Sequence, residues 1–164
     1  MIVVSNTSPI NNLASVNQLN LLQQLYESII IPEAVYRELT TVPVAGSQEV
    51  QTLSWFKKQN ITNTKLVENL NLEVDRGEAE AITLALEINA ELLLIDERLG
   101  RIVASRLGIE FTGVLGVLLE AKSKGLIAQV KPLLDHLRIS GFWMREQLYN
   151  QVLNLAALLV SVWE

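Results

Sequence analysis

Four side chains that carry oxygen atoms are spaced along the chain so that they could meet at one site: Asn6, Glu38, Glu78 and Asp96. Hard cations such as Mg²⁺ prefer oxygen ligands, and a small set of carboxylates can hold one or two ions that also engage a substrate phosphate. Such ions can generate a nucleophilic hydroxide and stabilise charge on the attacking and leaving oxygens. These residues therefore suggest metal-assisted hydrolysis of a phosphodiester.

This chemistry needs neither histidine nor cysteine, and the 164-residue chain contains one His and no Cys. The lack of cysteine excludes disulfides, thiolate metal sites and cysteine nucleophiles. The single histidine, His136, lies in a predicted helix without a second histidine nearby, so we expect it on the surface rather than at a metal.

The candidate residues lie at the ends of predicted strands and on adjoining helices. Short apolar runs predict buried strands at 2–5, 28–31, 92–95 and 109–112. Spaced apolar residues predict helices at 19–25, 33–40, 47–58, 76–88, 97–107, 113–124, 130–139 and 145–163. The segment 61–67 fits either a strand or an irregular connection.

Apolar strands that alternate with helices imply an α/β fold with a central, mostly parallel sheet covered by helices on both faces. In open sheets of this kind, ligands bind outside the carboxyl ends of the strands. Asn6 and Asp96 follow two such ends, and Glu38 and Glu78 lie on helices that could face the same edge. We therefore expect the four side chains to converge.

Each of these residues also has a structural explanation. Asn6 could cap the following helix, since asparagine is a favoured N-cap residue, and Asp96 could cap the helix after it. Asp75 and Glu78 have the spacing of a capping pair at a helix start. Glu38 could be an ordinary solvated residue on its helix. The functional explanation depends on all of them fitting one pattern.

Four more charged residues lie near the candidate site. Glu80 and Glu97 are acids outside the main pattern, so they are at most supporting residues. Arg98 and Arg101 follow Asp96 on a predicted helix and could either contact phosphate or form surface salt bridges.

Five segments occur in an order seen in PIN-domain proteins: VVSNTSPI, IIIPEAVYREL, GEAEAITLALE, LLLIDERLGR and FTGVLGVLLEAKSKGLI. From residue 2 to about residue 153, the chain resembles a prokaryotic branch of that superfamily related to VapC-type toxin ribonucleases. The resemblance implies a three-layer PIN-like fold and a metal-dependent RNA endonuclease in which acidic residues at four places bind Mg²⁺ or Mn²⁺.

Matched by position, the second, third and fourth acidic places are Glu38, Glu78 and Asp96. The first place, where members of the family normally have aspartate, is Asn6. The resemblance makes Thr7 or Ser8 the small hydroxyl residue beside it. An asparagine oxygen can coordinate a metal but carries no negative charge and cannot act as a base. We therefore expect a weakened or an inactive site.

Three functions follow from these residues. The first is an RNA endonuclease with RNA as its substrate. Such an endonuclease could be the toxin of a toxin–antitoxin pair, with an antitoxin protein as its partner. The second is a catalytically inactive PIN-fold module that binds nucleic acid or protein. The third, a small-ligand α/β domain, is disfavoured in its nucleotide-binding form because no glycine-rich phosphate loop follows the first strand.

Composition sets the remaining expectations. The length fits one domain, 1–164, with a helical tail at 145–164. A net charge of −5 argues against binding nucleic acid mainly through many lysines and arginines. The start lacks the pattern of a secretory signal, and the longest apolar run is too short to span a membrane, so a cytoplasmic protein is expected.

The tail carries an apolar stripe at helical spacing: Tyr149, Val152, Leu153, Ala156, Leu159, Val160 and Trp163. Core packing is the default interpretation. A homodimer contact or an antitoxin-binding surface is the alternative.

Overall fold

A five-stranded parallel sheet forms the centre of the computed structural model, which describes residues 1–159. The strands are β1 (Val3–Ser5), β2 (Ile29–Ile31), β3 (Phe56–Lys58), β4 (Leu92–Leu94) and β5 (Phe111–Thr112). Their order across the sheet is β3-β2-β1-β4-β5, and every neighbouring pair is parallel. The predicted α/β fold with a central parallel sheet flanked by helices is confirmed.

The helices connect the strands and surround the sheet. Their bounds are α1 (Thr7–Ser15), α2 (Asn20–Tyr26), α3 (Glu33–Thr40), α4 (Ser47–Thr52), α5 (Thr64–Leu70), α6 (Arg76–Glu87), α7 (Arg98–Arg106), α8 (Val114–Ser123), α9 (Lys131–Ile139) and α10 (Glu146–Leu158). Helix α6 contacts β1 and β4 and also packs against α3, α5 and α7. Helix α8 packs against α1, α2 and α10.

Apolar residues of the strands and the adjoining helices form one hydrophobic core. Val3, Val4 and Ile29 are fully buried within the sheet. This burial explains why the central strands β1, β2 and β4 are rich in apolar residues, because a parallel sheet covered on both faces leaves little of its central strands open to water. Ile82 of α6 and Leu118 of α8 are buried against the sheet in the same cluster.

The register of the central strands brings two candidate residues to one edge. Ser5 of β1 pairs with Leu94 of β4, and the backbone N–H of Asn6 donates to the Leu94 carbonyl at 2.9 Å. The chain then turns into α1 after β1 and toward α7 after β4. Asn6 and Asp96 therefore follow the carboxyl ends of adjacent strands, as predicted.

The predicted helix at 47–58 is wrong in its second half. Helix α4 ends at Thr52, and β3 follows as an edge strand beside β2. Trp55 and Phe56 stack with ring centroids 4.1 Å apart, and the Trp55 carbonyl accepts a hydrogen bond from the Ile29 N–H at 2.9 Å. Pairing with β2 thus overrides the local helical pattern, because it buries both rings and satisfies backbone groups.

For two other segments, the sequence had left more than one interpretation open. For 61–67, neither predicted alternative, a strand or an irregular connection, holds beyond Asn63, because helix α5 begins at Thr64. Asn63 caps this helix by accepting a hydrogen bond from the Leu66 N–H at 3.1 Å. In the tail, Tyr149, Val152 and Ala156 are buried, which confirms core packing for this part of the stripe. Val160 and Trp163 lie outside the described residues.

None of the helices in residues 1–159 is both long enough and apolar enough to cross a membrane. The single-domain organisation of 1–164 and the cytoplasmic location stay predictions.

Candidate functional site

Two buried oxygens without partners lie at the edge where β1 and β4 end. Asn6 is 3% exposed. Among the described residues, neither its side-chain Oδ1 nor Oδ2 of Asp96 has a hydrogen-bond partner. Buried polar atoms in folded proteins nearly always have one. A ligand bound at this edge could supply the missing contacts.

The other oxygen of Asp96 is held by the start of α8. Oδ1 accepts a hydrogen bond from the Val114 N–H at 2.9 Å, and a Cβ on Gly113 would overlap it. Burial raises the pKa of Asp96 to about 6, although the Val114 N–H, the Arg101 guanidinium and the amide of Asn12 favour its charged form. One oxygen is therefore fixed while the other remains available.

Glu38 reaches the site from α3 and is its most exposed member. The Thr7 hydroxyl donates a hydrogen bond to its Oε2, which connects α3 to the first turn of α1. Gly77 of α6 packs against the same carboxylate, since a Cβ there would lie 2.5 Å from Oε1. Burial raises the pKa of Glu38, the Thr7 hydrogen bond opposes this, and the charge of Asp75 adds to it.

Glu78 lies in the first turn of α6 and is 6% exposed. Burial is the main reason that its pKa rises to about 7, and the charges of Asp75 and Glu97 raise it further. A Cβ on Gly100 of α7 would lie 3.5 Å from its Oε2, so two helices enclose the carboxyl group. Glu78 can therefore change its protonation state near neutral pH.

Helix capping, the structural explanation offered for Asn6, Asp96 and Asp75, is found only for Asp75. Asn6 makes no side-chain hydrogen bond to α1, and the residue at the cap of α7 is Glu97 rather than Asp96. Asp75 does cap α6, because its Oδ1 accepts a hydrogen bond from the Glu78 N–H at 2.8 Å. Capping thus accounts for Asp75, and it leaves the carboxylate of Glu78 unexplained.

Glu97, expected from the sequence to be at most a supporting residue, interacts with two of the candidate acids. Its charge raises the pKa of both Glu78 and Asp96, and its Oε1 accepts a hydrogen bond from the Ser8 hydroxyl at 3.1 Å. Since Glu38 also acts on Glu78, charge coupling runs from Glu38 through Glu78 and Glu97 to Asp96. The fold therefore places these four acids near enough, pair by pair, for their charges to interact.

Glu80 has a supporting role in the fold. One of its oxygens accepts a hydrogen bond from the Ala34 N–H at 3.0 Å, and the other pairs with Arg76 at 2.8 Å. This carboxylate therefore stabilises the start of α3, which carries Glu38. His136 is exposed on α9, as expected.

Sequence reasoning missed three residues at the site. Asn12 lies near Asp96, and the two glycines Gly77 and Gly113 leave room for the carboxylates of Glu38 and Asp96. Gly77 gave a positional signal, because it precedes Glu78 at the start of α6, whereas Gly113 precedes α8 without a candidate acid beside it in the sequence. Asn12 gave no signal beyond being polar on a helix that follows the first strand.

The donor atoms suit a hard divalent cation, since all are oxygens and two are buried without partners. Among residues 1–159, however, no three side chains of the His, Cys, Asp or Glu types are grouped so that they could hold a metal ion. Asn6 adds an oxygen but no charge. The chemistry of the site therefore fits a divalent ion, and its carboxylates are not drawn together into a closed cluster.

A groove of about 920 Å³ opens beside Asp96, between α7, β5, α8 and the region from Phe142 into α10. Arg98 and Arg101 line it, and the Arg101 guanidinium lies 5.1 Å from the centre of the Phe111 ring. Within the part of the chain that the structure describes, neither arginine forms a salt bridge. Both are therefore available to an anionic ligand.

The family comparison agrees with this geometry. The family model DUF3368, described as a PIN domain, matches residues 2–157, which include both strand ends, all candidate acids and most of the groove. No curated protein matches the chain at a significant level. The PIN domain is a nuclease-type fold whose members generally use divalent metal ions and act on RNA. With nearly its whole length matched, the chain belongs to the PIN-domain superfamily.

Proposed function

We propose that this chain is a divalent-metal-dependent RNA endonuclease in which Glu38, Glu78 and Asp96 bind Mg²⁺ or Mn²⁺ and Asn6 is an uncharged fourth ligand. The observation that carries the proposal is the pair of buried, unpartnered oxygens on Asn6 and Asp96 at adjacent strand ends. A cation would satisfy both oxygens, and it would also favour the charged form of Glu78.

When bound, a divalent ion supplies Lewis-acid activation of water and offsets charge on the phosphate. Asp96 presents one oxygen to the site while the Val114 N–H holds the other. Thr7 positions the Glu38 carboxylate through its hydroxyl. Glu78, with a pKa of about 7, can hold or release a proton in the range where the enzyme would act.

Asn6 determines how strong this activity is. With asparagine at this position the site has three negative charges from its ligands instead of four, so both metal affinity and the rate should be reduced. Arg98 and Arg101 support the proposal because they place positive charge for a phosphate next to Asp96.

The experiment is a cleavage assay on structured RNA with Mn²⁺ and with a chelator. We expect slow cleavage by the wild type, faster cleavage by Asn6→Asp and none by Asp96→Ala. Glu68→Gln, which removes an exposed acid on α5, is the matched control and should behave as the wild type. If neither the wild type nor Asn6→Asp cleaves RNA, the proposed activity is wrong.

A second candidate is a PIN-fold module that binds nucleic acid or protein without cleaving it. The uncharged Asn6 and the open arrangement of the carboxylates favour this candidate. RNA binding without cleavage by Asn6→Asp in Mn²⁺ would support it.

The role as a toxin, the antitoxin partner and the homodimer stay predictions. A neighbouring gene for a small DNA-binding protein would support the first two, and the mass of the protein in solution would test the third.

A further inference from the structure

The groove beside Asp96 carries positive charge on an otherwise acidic chain. Three arginines line it, namely Arg98, Arg101 and Arg145, and Asp96 is the only carboxylate among its described lining residues. The chain as a whole has a net charge of −5. None of the three arginines is salt-bridged within residues 1–159. Arginines without salt bridges that line one groove of an acidic protein favour an anionic partner.

A single tryptophan stands out on the same groove. Trp143 is 79% exposed, which is unusual for a large aromatic side chain. Its neighbours Phe142 and Met144 pack against the hydrophobic core, so the short connection between α9 and α10 is anchored on both sides of it. The backbone at Trp143 is thus anchored while its indole ring is exposed to solvent, where a planar ring could stack on it.

We propose that this groove binds a single-stranded RNA, with a base stacked on Trp143 and phosphates contacted by Arg145, Arg101 and Arg98. The proposal rests on the proposed function, because it names the path by which the substrate strand reaches the acids. Arg98 and Arg101 are three residues apart on α7 and share one face, directly beside Asp96. An RNA strand that runs from Trp143 along the three arginines would therefore reach the candidate site at Asp96.

The geometry favours a single strand over a duplex. Stacking on an exposed indole needs a base whose face is free, and in a duplex the bases are already stacked on each other. Many proteins that bind single strands combine such a stacking residue with a positively charged groove. The exposed apolar residues nearby, such as Leu155 at 51%, also suit sugar and base faces.

The test measures binding separately from cleavage. Fluorescence anisotropy of a short, end-labelled single-stranded RNA is followed with a chelator present, so that no metal-dependent cleavage occurs. We expect Trp143→Ala to weaken binding by about 5- to 100-fold and Trp143→Phe to retain most of the affinity. Arg145→Ala should weaken binding and reduce the salt dependence, by about 0.7 in the slope of log affinity against log salt.

Two controls match these changes elsewhere on the molecule. Lys57→Ala removes an exposed cation from β3, at the opposite edge of the sheet from β5. Leu72→Ala removes an apolar side chain that is 86% exposed. Both should bind RNA as the wild type does. Circular dichroism and thermal melting should show that all variants remain folded.

Three results would overturn the proposal: unchanged RNA affinity in both Trp143→Ala and Arg145→Ala, equal affinity for a duplex of the same sequence, or a dimer that Trp143→Ala converts to a monomer without changing RNA affinity. The last result would make the groove a contact between copies of the chain. Cleavage with Mn²⁺ is scored in a separate assay. RNA binding that depends on Trp143, without any cleavage, would support the proposed RNA-binding groove and contradict the proposed nuclease activity. Cleavage together with RNA binding that does not depend on Trp143 would support the nuclease activity and contradict the groove.

Discussion

The carboxylate of Asp96, just after β4, accepts a hydrogen bond at 2.9 Å from the backbone N–H of Val114, 18 residues later in the chain. Val114 is the first residue of α8, where unpaired N–H groups and the helix dipole favour a negative charge. The bond fixes Oδ1 and leaves Oδ2 buried without a partner. Helix α8, which follows the neighbouring strand β5, therefore positions Asp96 for a ligand.

Asp96→Asn should abolish cleavage and stabilise the metal-free protein at pH 8. Because folding raises the pKa of Asp96 from 3.8 to about 6, the charged group opposes folding above that range, by about 3 kcal/mol at most. Asparagine can still accept the Val114 hydrogen bond. Urea unfolding should show the gain at pH 8 and much less at pH 3.5, where the carboxyl is protonated in the folded state and mostly protonated in the unfolded state. An equal gain at both pH values would contradict the explanation.

Asn6→Asp should have the opposite effect on stability. The variant places a carboxylate at a position that is 3% exposed and next to other acids, so we expect a loss of about 1–3 kcal/mol without metal. Mn²⁺ should restore much of this loss, because binding to the folded state stabilises it. Thermal melting with and without Mn²⁺ measures both effects. Asn150→Asp, on the exposed face of α10, is the control and should show neither.

Glu78 should make both stability and activity depend on pH. Its pKa rises from 4.5 to about 7 in the folded protein, so the folded state holds a proton that the unfolded state releases. The free energy of unfolding of the metal-free protein should therefore fall as pH increases from about 4.5 to 7. Metal-dependent cleavage should rise over the upper part of that range, as the ligand loses its proton.

Glu78→Gln provides the test of this pH dependence. The variant should reduce the decrease in unfolding free energy between pH 5 and 7 and leave only the part that comes from the raised pKa of Asp96, whereas Glu68→Gln should leave the whole decrease unchanged. Chemical unfolding across that range measures the slope. A decrease as large in Glu78→Gln as in the wild type would show that Glu78 does not carry the proton.

Gly77→Ala should reduce RNA cleavage while leaving the stability of the protein nearly unchanged. A Cβ at this position would lie 2.5 and 2.7 Å from the two carboxylate oxygens of Glu38, so the carboxylate must move away. Glu38 is flexible and exposed, and alanine favours a helix over glycine by up to about 1 kcal/mol. We therefore expect a nearly unchanged melting temperature and cleavage reduced by about tenfold or more. Unchanged cleavage would show that the observed position of Glu38 does not matter.

The sequence predicted most of the fold because hydrophobic periodicity is a local property. The apolar runs that became β1, β2, β4 and β5 are strands in the structure, and most helices lie where the spacing of apolar residues placed them, whereas α1 and α5 were not among the predicted helices. The same patterns placed Asn6 and Asp96 at strand ends, since side chains that end a buried apolar run must lie at the edge of the sheet.

Pairing and packing decided the rest. Residues 56–58 became strand β3 only because β2 offered an edge, and this partner lies more than 20 residues away in the sequence. Gly77, Gly113 and Asn12 took their places at the site through contacts between separate elements. No local pattern encodes such contacts.

The sequence by itself determined which residue types were available for the site, including the missing charge at Asn6. Only the tertiary structure decided that Glu97 joins the acids, that Asp96 keeps one oxygen without a partner, and that a groove with Trp143 leads to it. The physical reason is that burial and electrostatic coupling depend on distances through space, which the order of residues along the chain does not give.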